Sequence, residues 1–405
     1  IFFLGVLMRV IDLFAGCGGM SKGFENAGFE LTLAVEHWEA ARIVYEANFD
    51  HPVRNFDLSG VDAVSKIIGK ERPDVIIGGP PCQEFSVAGS RIEGPRAQLT
   101  VNFAEIVSAS RPKWFVLENV QGIRNSAAWI NARKILDDAG YGITECVLNA
   151  AYFGVPQKRR RFFAIGCQGE SDDFLINQIE AKRTEVPLTV RDFVGDEFSI
   201  DFYYRHPRNW GRRGIFSIDE PSPTIRSTNR NVSPGYTAHP EDAGSYLDAR
   251  ALTAGERARV QTFERSFKFI GSETARNMMI ANAVPVSLAE HVASTILNYE
   301  KGQSMKNESE FRTWLASSQQ YTPRTISNVI SRLRRASRIL YTGTLSIDPL
   351  DAIHALERSQ EYVELPSSVK SQIKKAIRLH SDFHMKQLQL DEKVDEVNGR
   401  KKREE

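Results

Sequence analysis

Val10-Ile11-Asp12-Leu13-Phe14-Ala15-Gly16-Cys17-Gly18-Gly19-Met20-Ser21 is the stretch on which the fold turns. A short apolar run reads as a strand, and the glycines behind it read as a turn. Gly23-Phe24-Glu25-Asn26-Ala27-Gly28-Phe29 then reads as a helix closed by Gly28. Strand, glycine turn and helix in that order open a doubly wound nucleotide-binding sheet. Glycine serves there because it lets the backbone approach a ligand closely. Alone, such a turn is a weak signal, and spacing adds the weight. The next strand-like run, Leu31-Thr32-Leu33-Ala34-Val35, ends at Glu36. A carboxylate about 20 residues after the glycines suits a ribose diol. His37 and Trp38 follow and are placed to pack on an adenine face. Asp57, at the next candidate strand end, is placed to accept from an adenine amine.

Outward from that opening, the strand-like run Asp74-Val75-Ile76-Ile77 leads into Gly78-Gly79-Pro80-Pro81-Cys82-Gln83-Glu84-Phe85-Ser86. Each proline fixes φ and removes a backbone donor, so the loop loses little entropy on ordering. A lone cysteine in such a turn is most often simply buried. This one has a counterpart: a second apolar run, Trp114-Phe115-Val116-Leu117, ends in Glu118-Asn119-Val120. A thiol and a carboxylic acid at the ends of neighbouring strands can attack and protonate one ring between them.

With these residues in view, the chain resembles the bacterial DNA (cytosine-5) methyltransferases of restriction-modification systems. The resemblance covers roughly residues 9 to 299, with motifs in the family order. Asp12 to Phe29 resembles the first motif, Gly79 to Ser86 the catalytic loop and Glu118-Asn119-Val120 the sixth motif. Gln157-Lys158-Arg159-Arg160-Arg161 resembles the eighth, Arg257 to Phe263 the ninth, and Ala281-Asn282-Ala283-Val284-Pro285 the tenth.

The resemblance implies a Rossmann-like α/β sheet and S-adenosyl-L-methionine as methyl donor, leaving S-adenosyl-L-homocysteine, with no metal. It assigns the cofactor to Phe14, Ala15, Gly16, Gly18, Gly19, Glu36, His37, Trp38, Asp57, Leu58, Pro80, Leu99, Asn282 and Val284. It makes Cys82 the nucleophile at carbon 6 of a flipped cytosine and Glu118 the donor to ring nitrogen 3. Asn119 would orient the loop, with Arg159 and Arg161 as the cations beside the base. Free thiols are only slightly ionised near neutrality, so activation must come from nearby cations or from the substrate. Glu118 must hold a proton at working pH, which burial can arrange. The family usually has glycine where Ala281 stands, and a positive φ there would cost roughly 1 kcal/mol.

Flipping a base out of a duplex costs a few kcal/mol, and the family closes a loop over it. That loop is Gln83 to Gln98, with Gln83, Ser86, Arg91 and Arg96 facing DNA. Residues 168–249 lack regular periodicity and are rich in Arg, Pro, Tyr and Asn. There the family inserts its target-recognition domain. Arg205, Arg208, Arg212 and Arg213 interleave with aromatics, and Thr224, Arg226 and Arg230 follow. Arginine forks read guanine edges or clamp phosphates. The bland alternative is a solvated basic surface.

The 405 residues are too many for one ordinary domain. A net charge of +1 confines any DNA-binding charge to local patches. The four cysteines (Cys17, Cys82, Cys146, Cys167) have no metal-like spacing and suit a reducing bacterial cytoplasm. No apolar run reaches the ~18 residues of a membrane span. Met8 is expected to be the natural start. The expected organisation is a catalytic domain over 8–167, recognition over 168–249 and return to the catalytic domain over 250–299. A linker at 300–309, a helical domain at 310–390 and a disordered charged tail at 391–405 follow. The helical domain faintly resembles the DNA-clamping modules of phage-type recombinases.

The expected partner is double-stranded DNA, met by a monomer. A cognate restriction endonuclease would act on the same site without a stable complex, and no membrane is involved. Two other readings stand beside this one. A tRNA-type cytosine-5 methyltransferase shares the motifs but has a smaller recognition region. A non-catalytic DNA-binding regulator would not need Cys82, Glu118 and Arg161 intact.

Overall fold

The computed structural model describes residues 8–81, 95–209, 211–317, 320–340 and 348–404. The chain divides into two compact units, Arg9–Thr295 and the residues from Ile296 onward.

The first unit is built on strands β1 (Arg9–Leu13), β2 (Glu30–Val35), β3 (Val53–Arg54), β4 (Val75–Gly78), β5 (Trp114–Asn119) and β6 (Tyr141–Asn149). They join β8 (Arg160–Gln168) in one seven-stranded sheet, ordered β3-β2-β1-β4-β5-β8-β6, while β7 (Gln157–Lys158) lies outside it. Helices α1 (Gly19–Ala27), α2 (Glu39–Glu46), α3 (Val61–Glu71), α4 (Pro95–Ser110) and α5 (Ala127–Asp138) make the connections. β4 and β5 are buried along their whole length, as expected of central strands covered on both faces. Parallel βαβ units hold from β1 to β5. Beyond β5 the sheet changes direction, because β8 runs antiparallel to both β5 and β6. Only residues 150–159 separate β6 from β8, too few for the dozen or more that a parallel crossover requires.

α1 forms as its sequence indicates. Gly18 enters it at φ 93 and Gly28 leaves it at φ 97, both in the left-handed region. Phe29 N–H closes back on the Phe24 carbonyl at 3.1 Å. The two rings sit 5.0 Å apart, the apolar contact that accompanies this stop signal. Ala41, Val44, Tyr45 and Phe49 are buried, and Ala40 is half-buried. Ala281 lies within the helix Glu273–Asn282, away from any positive φ, so the residue where the family has glycine carries no backbone strain.

Beyond β8 the chain forms α6 (Ile176–Glu180), α7 (Val190–Val194), β9 (Phe202–Tyr204), β10 (Ile215–Ser217), β11 (Ser222–Pro223) and β12 (Arg250–Ala251). β10, β9 and β12 make a small second sheet. β11 instead pairs with β7, the strand just before the eighth-motif arginines. α8 (Ala254–Val260) follows, capped by Thr253 and Glu256 in a reciprocal box, then α9 (Glu273–Asn282) and α10 (Val286–Ser317).

Residues 300–309, expected as a linker, are helical and lie inside α10. Lys, Gln, Met and Glu there are good helix formers, and the lone Gly302 costs only about 1 kcal/mol. The stretch Glu273–Ser317 is long and apolar enough to cross a membrane by length and composition alone. Of its apolar window, 72% is buried inside the protein, the position of a core helix.

The second unit continues with α11 (Pro323–Ile339), α12 (Pro349–Glu357), α13 (Gln360–Val363) and α14 (Ser367–Glu404). Phe311, Leu315, Ile330, Leu333, Ile373 and Ile377 are central to its own apolar core. Thr322 caps α11, accepting from Thr325 N–H at 3.2 Å. The charged tail, expected to be disordered, continues α14 to Glu404. Its Lys, Glu and Arg residues favour helix once a packed helix precedes them.

Candidate active site and cofactor cleft

β1 and β4 lie side by side at the centre of the sheet, and their connections leave to opposite sides. A crevice at the carboxyl ends of strands at such a switch point is where doubly wound folds bind ligands. Phe14 (φ 64) and Gly16 (φ 57) turn the chain there. A Cβ at Gly16 would meet nothing within 4 Å, so the backbone faces open space. Glu36, at the end of β2, accepts from the Gly16 N–H and the Trp38 N–H, both at 2.7 Å. Each carboxylate oxygen keeps lone pairs for a further partner.

The other predicted cofactor residues surround this turn or border the neighbouring strands. His37 and Asp57 are exposed, Trp38 half-buried and Leu58 buried. Asn102 of α4 donates to the Leu58 carbonyl at 3.1 Å, one turn from the half-buried Leu99. Gly19 is pressed on the tenth motif, since a Cβ there would lie 2.3 Å from the Val284 carbonyl oxygen. Asn282 beside it is exposed.

At the ends of β4 and β5 the two predicted halves of the reactive site approach each other. Asn119 donates to the Pro80 carbonyl at 3.1 Å, and its Oδ1 accepts from the Val120 N–H. A Cβ on Gly79 would come within 3.3 Å of Glu118 Oε2. The glycine-proline turn therefore runs close over the carboxyl. Cys82, Gln83, Ser86 and Arg91, with the Arg96 side chain, lie outside the described residues. The three described cysteines are buried and form no disulfide among the described residues. Desolvation pushes the thiols of Cys17 and Cys146 up to about 12, which leaves them inert.

Glu118 is buried, with Arg161 Nε 2.8 Å from its Oε1. That contact is chiefly one of charge: among the described residues Oε1 has no hydrogen bond of good geometry. Burial raises the Glu118 pKa, and the guanidinium groups of Arg161 and Arg159 oppose the rise without cancelling it. Arg159, expected with Arg161 beside the base, lies close enough for its charge to act on Glu118. It is fully buried and donates to the carbonyls of Ala281 at 2.8 Å, Ala283 at 3.0 Å and Ile225 at 3.4 Å. These bonds to main chain hold three segments together.

Beside it lies a set of amides that the sequence reading passed over. Gln157 Nε2 donates to Gln261 at 2.8 Å, and Gln157 Oε1 accepts from the Ile225 N–H at 3.0 Å. Gln261 in turn donates to the Ile280 carbonyl at 2.6 Å. Both glutamines were quoted within motifs, but nothing in their spacing says that their side chains meet.

The predicted DNA-facing arginines separate into two groups. Arg208, Arg212 and Arg230 are exposed. Arg205 donates to the Thr224 carbonyl at 2.9 Å, and Arg226 donates to the His206 carbonyl. Arg213 pairs with Glu220 and lies over the Phe216 ring. Thr224 itself donates to the Lys158 carbonyl at 2.7 Å.

Sheet order and glycine turn define a Rossmann-like α/β fold. A family model described as C-5 cytosine-specific DNA methylase matches residues 8–298, and the chain belongs to that family. Type II methyltransferase M.HindV of Haemophilus influenzae is 50% identical over 297 residues, spanning 73% of this chain and 98% of its own. M.HgiDI of Herpetosiphon aurantiacus is 48% identical over 293 residues, with 72% and 95% covered. The solved S. pombe Dnmt2 methyltransferase shares the fold, with a TM-score of 0.56 at 20% identity over 72% of this chain and 98% of that one.

Proposed function

We propose that this chain methylates carbon 5 of one cytosine within a short specific sequence of duplex DNA, as the modification half of a type II restriction-modification system. Family membership supports the reaction, and the type II names of M.HindV and M.HgiDI support the biological setting. The observation that carries the reading is the buried Glu118, paired with Arg161 and overrun by the turn that leads to Cys82.

In this reading Cys82 attacks carbon 6 of the flipped cytosine. Glu118, whose hold on a proton is strengthened by burial, donates to ring nitrogen 3 and draws electrons from the ring. Arg161 fixes the carboxyl and stabilises it once the proton has gone. Asn119 holds the Pro80 end of the loop. Arg159 braces the site from behind.

The open space before Gly16 and the fixed Glu36 carboxylate fit an adenosyl group. When bound, S-adenosylmethionine supplies an electrophilic methyl. Phe14, Ala15, Gly16, Gly18 and Gly19 would face it, with Glu36 on the ribose. His37, Trp38, Asp57, Leu58, Pro80, Leu99, Asn282 and Val284 would complete the cleft. Residues 8–167 and 250–299 form the catalytic domain around the recognition residues. Arg208, Arg212 and Arg230 are the recognition arginines free to meet DNA. The enzyme works as a monomer in the bacterial cytoplasm, beside a nuclease that cuts the same sequence and forms no stable complex with it.

Bisulfite sequencing of a plasmid from expressing cells tests this, with Cys82→Ser as control. Protected cytosines in one recurring sequence, absent with the variant, are expected. Protection of RNA cytosines alone, or none from folded protein, would overturn the reading.

A further inference from the structure

The helical unit carries a charged face that the methylation reaction does not use. Ser367, Lys370, Ser371, Lys374, Lys375 and Arg378 line one open groove along the first turns of α14. Steps of three and four residues put them on one helix face. The stripe runs about 16 Å at 1.5 Å per residue. Lys374 Nζ is held 2.6 Å from Glu357 of α12, and Lys370 Nζ donates to the Val363 carbonyl at 2.6 Å. Lys375 and Arg378 stand exposed.

Charge is unevenly distributed along the chain. Residues 310–386 hold 12 Lys and Arg against 7 Asp and Glu, whereas residues 1–309 hold 35 against 38. The stripe lies beyond the family match, which ends at residue 298. M.HindV is aligned over 98% of its length with 73% of this chain, so the helical unit is additional to what that relative has.

We propose that this face of α14 is a second DNA contact, a sequence-independent grip on the phosphate backbone. The inference rests on duplex DNA being the substrate. Lys, Arg and Ser are the side chains that bind phosphate oxygens and fix position without reading bases. A stripe of about 16 Å matches the span of about five phosphates on one strand. None of the six lining residues is aromatic, so the face has nothing to stack on bases. None is apolar, which sets it apart from a helix built to lie in a lipid interface.

The test uses the full-length chain and a Lys375→Ala/Arg378→Ala double variant. Alanine is the best helix former, so these exposed positions should keep α14 intact, as circular dichroism would verify. Binding to a duplex lacking the recognition sequence is measured between about 50 and 200 mM salt. Loss of two phosphate contacts should make the log–log salt slope shallower by about 2 and weaken binding throughout. The methylated sequence should stay the same. Unchanged affinity and slope would overturn the proposal. So would unchanged DNA binding together with lost retention on a polyglutamate column, which would assign the face to an acidic protein. A wild-type protein that methylates no duplex would instead sink the substrate reading beneath it.

Discussion

Asp12 is fully buried at the inner end of β1, where its charge depends on its neighbours. Ser21 donates to its Oδ2 at 2.6 Å, Tyr45 donates to Ser21 at 2.7 Å, and His51 Nε2 lies 2.7 Å from the Tyr45 hydroxyl. The single tyrosine proton is used on Ser21, so His51 must be the donor to Tyr45. Desolvation, opposed by the Ser21 bond, carries the Asp12 pKa from 3.8 to about 7. The folded state then holds this proton more tightly than the unfolded chain. Its contribution to stability is full below about pH 3.8 and is lost as pH rises to about 7, a change of about 4 kcal/mol. Asp12→Asn should flatten the fall in melting temperature across that window, and melts from pH 4 to 8 would show it. Glu118→Gln keeps the shape but cannot give up a proton. Its kcat should fall about 10²- to 10⁴-fold with cofactor affinity unchanged, as paired turnover and calorimetry would reveal.

Among the elements, α1 and α10 touch through a glycine. A Cβ on Gly23 would lie 2.5 Å from the Ala289 Cβ and 2.6 Å from both the Glu290 nitrogen and the Val286 oxygen. Alanine gains about 1 kcal/mol of helix propensity, but here it strikes backbone. Overpacking typically costs 1–3 kcal/mol or more, and the clash should win. Gly23→Ala should lower the urea midpoint, and a raised midpoint would show that α10 yields. Arg159→Met fills the volume but removes the donor to the Ala281 and Ile225 carbonyls, while Ala283 keeps its bond from Gln261. That should cost about 3–5 kcal/mol in the same assay. Such elements were legible unevenly. β1, β4, β5 and α1 announce themselves because strand, turn and stop residues are local features. The reversal of β8 depends on the length of the 150–159 connection, which a local pattern does not contain, whereas the helix through 300–309 rests on its own helix-forming residues, which the linker reading underweighted.

For the whole molecule, the reactive groups could be read from motifs, while the bracing around them could not. Arg159 and Arg161 look alike in the sequence, yet one faces Glu118 and the other binds backbone from three segments. The recognition arginines divide in the same way, because folding decides which guanidinium groups are consumed internally. Alanine at Arg208, Arg212 or Arg230 should weaken DNA binding with little loss of stability. Alanine at Arg205 or Arg226 should lower the melting temperature first, so binding and melting measured together will separate the groups. The pairing of β11 with β7, and of Ile225 with Gln157, has a consequence for how such enzymes exchange specificity. A recognition segment transplanted from a relative must reproduce the 222–225 joint, or it will pull on the arginine strand beneath. Natural hybrids should therefore cross over on either side of that joint and leave it intact, which makes it the hinge point of any chimera.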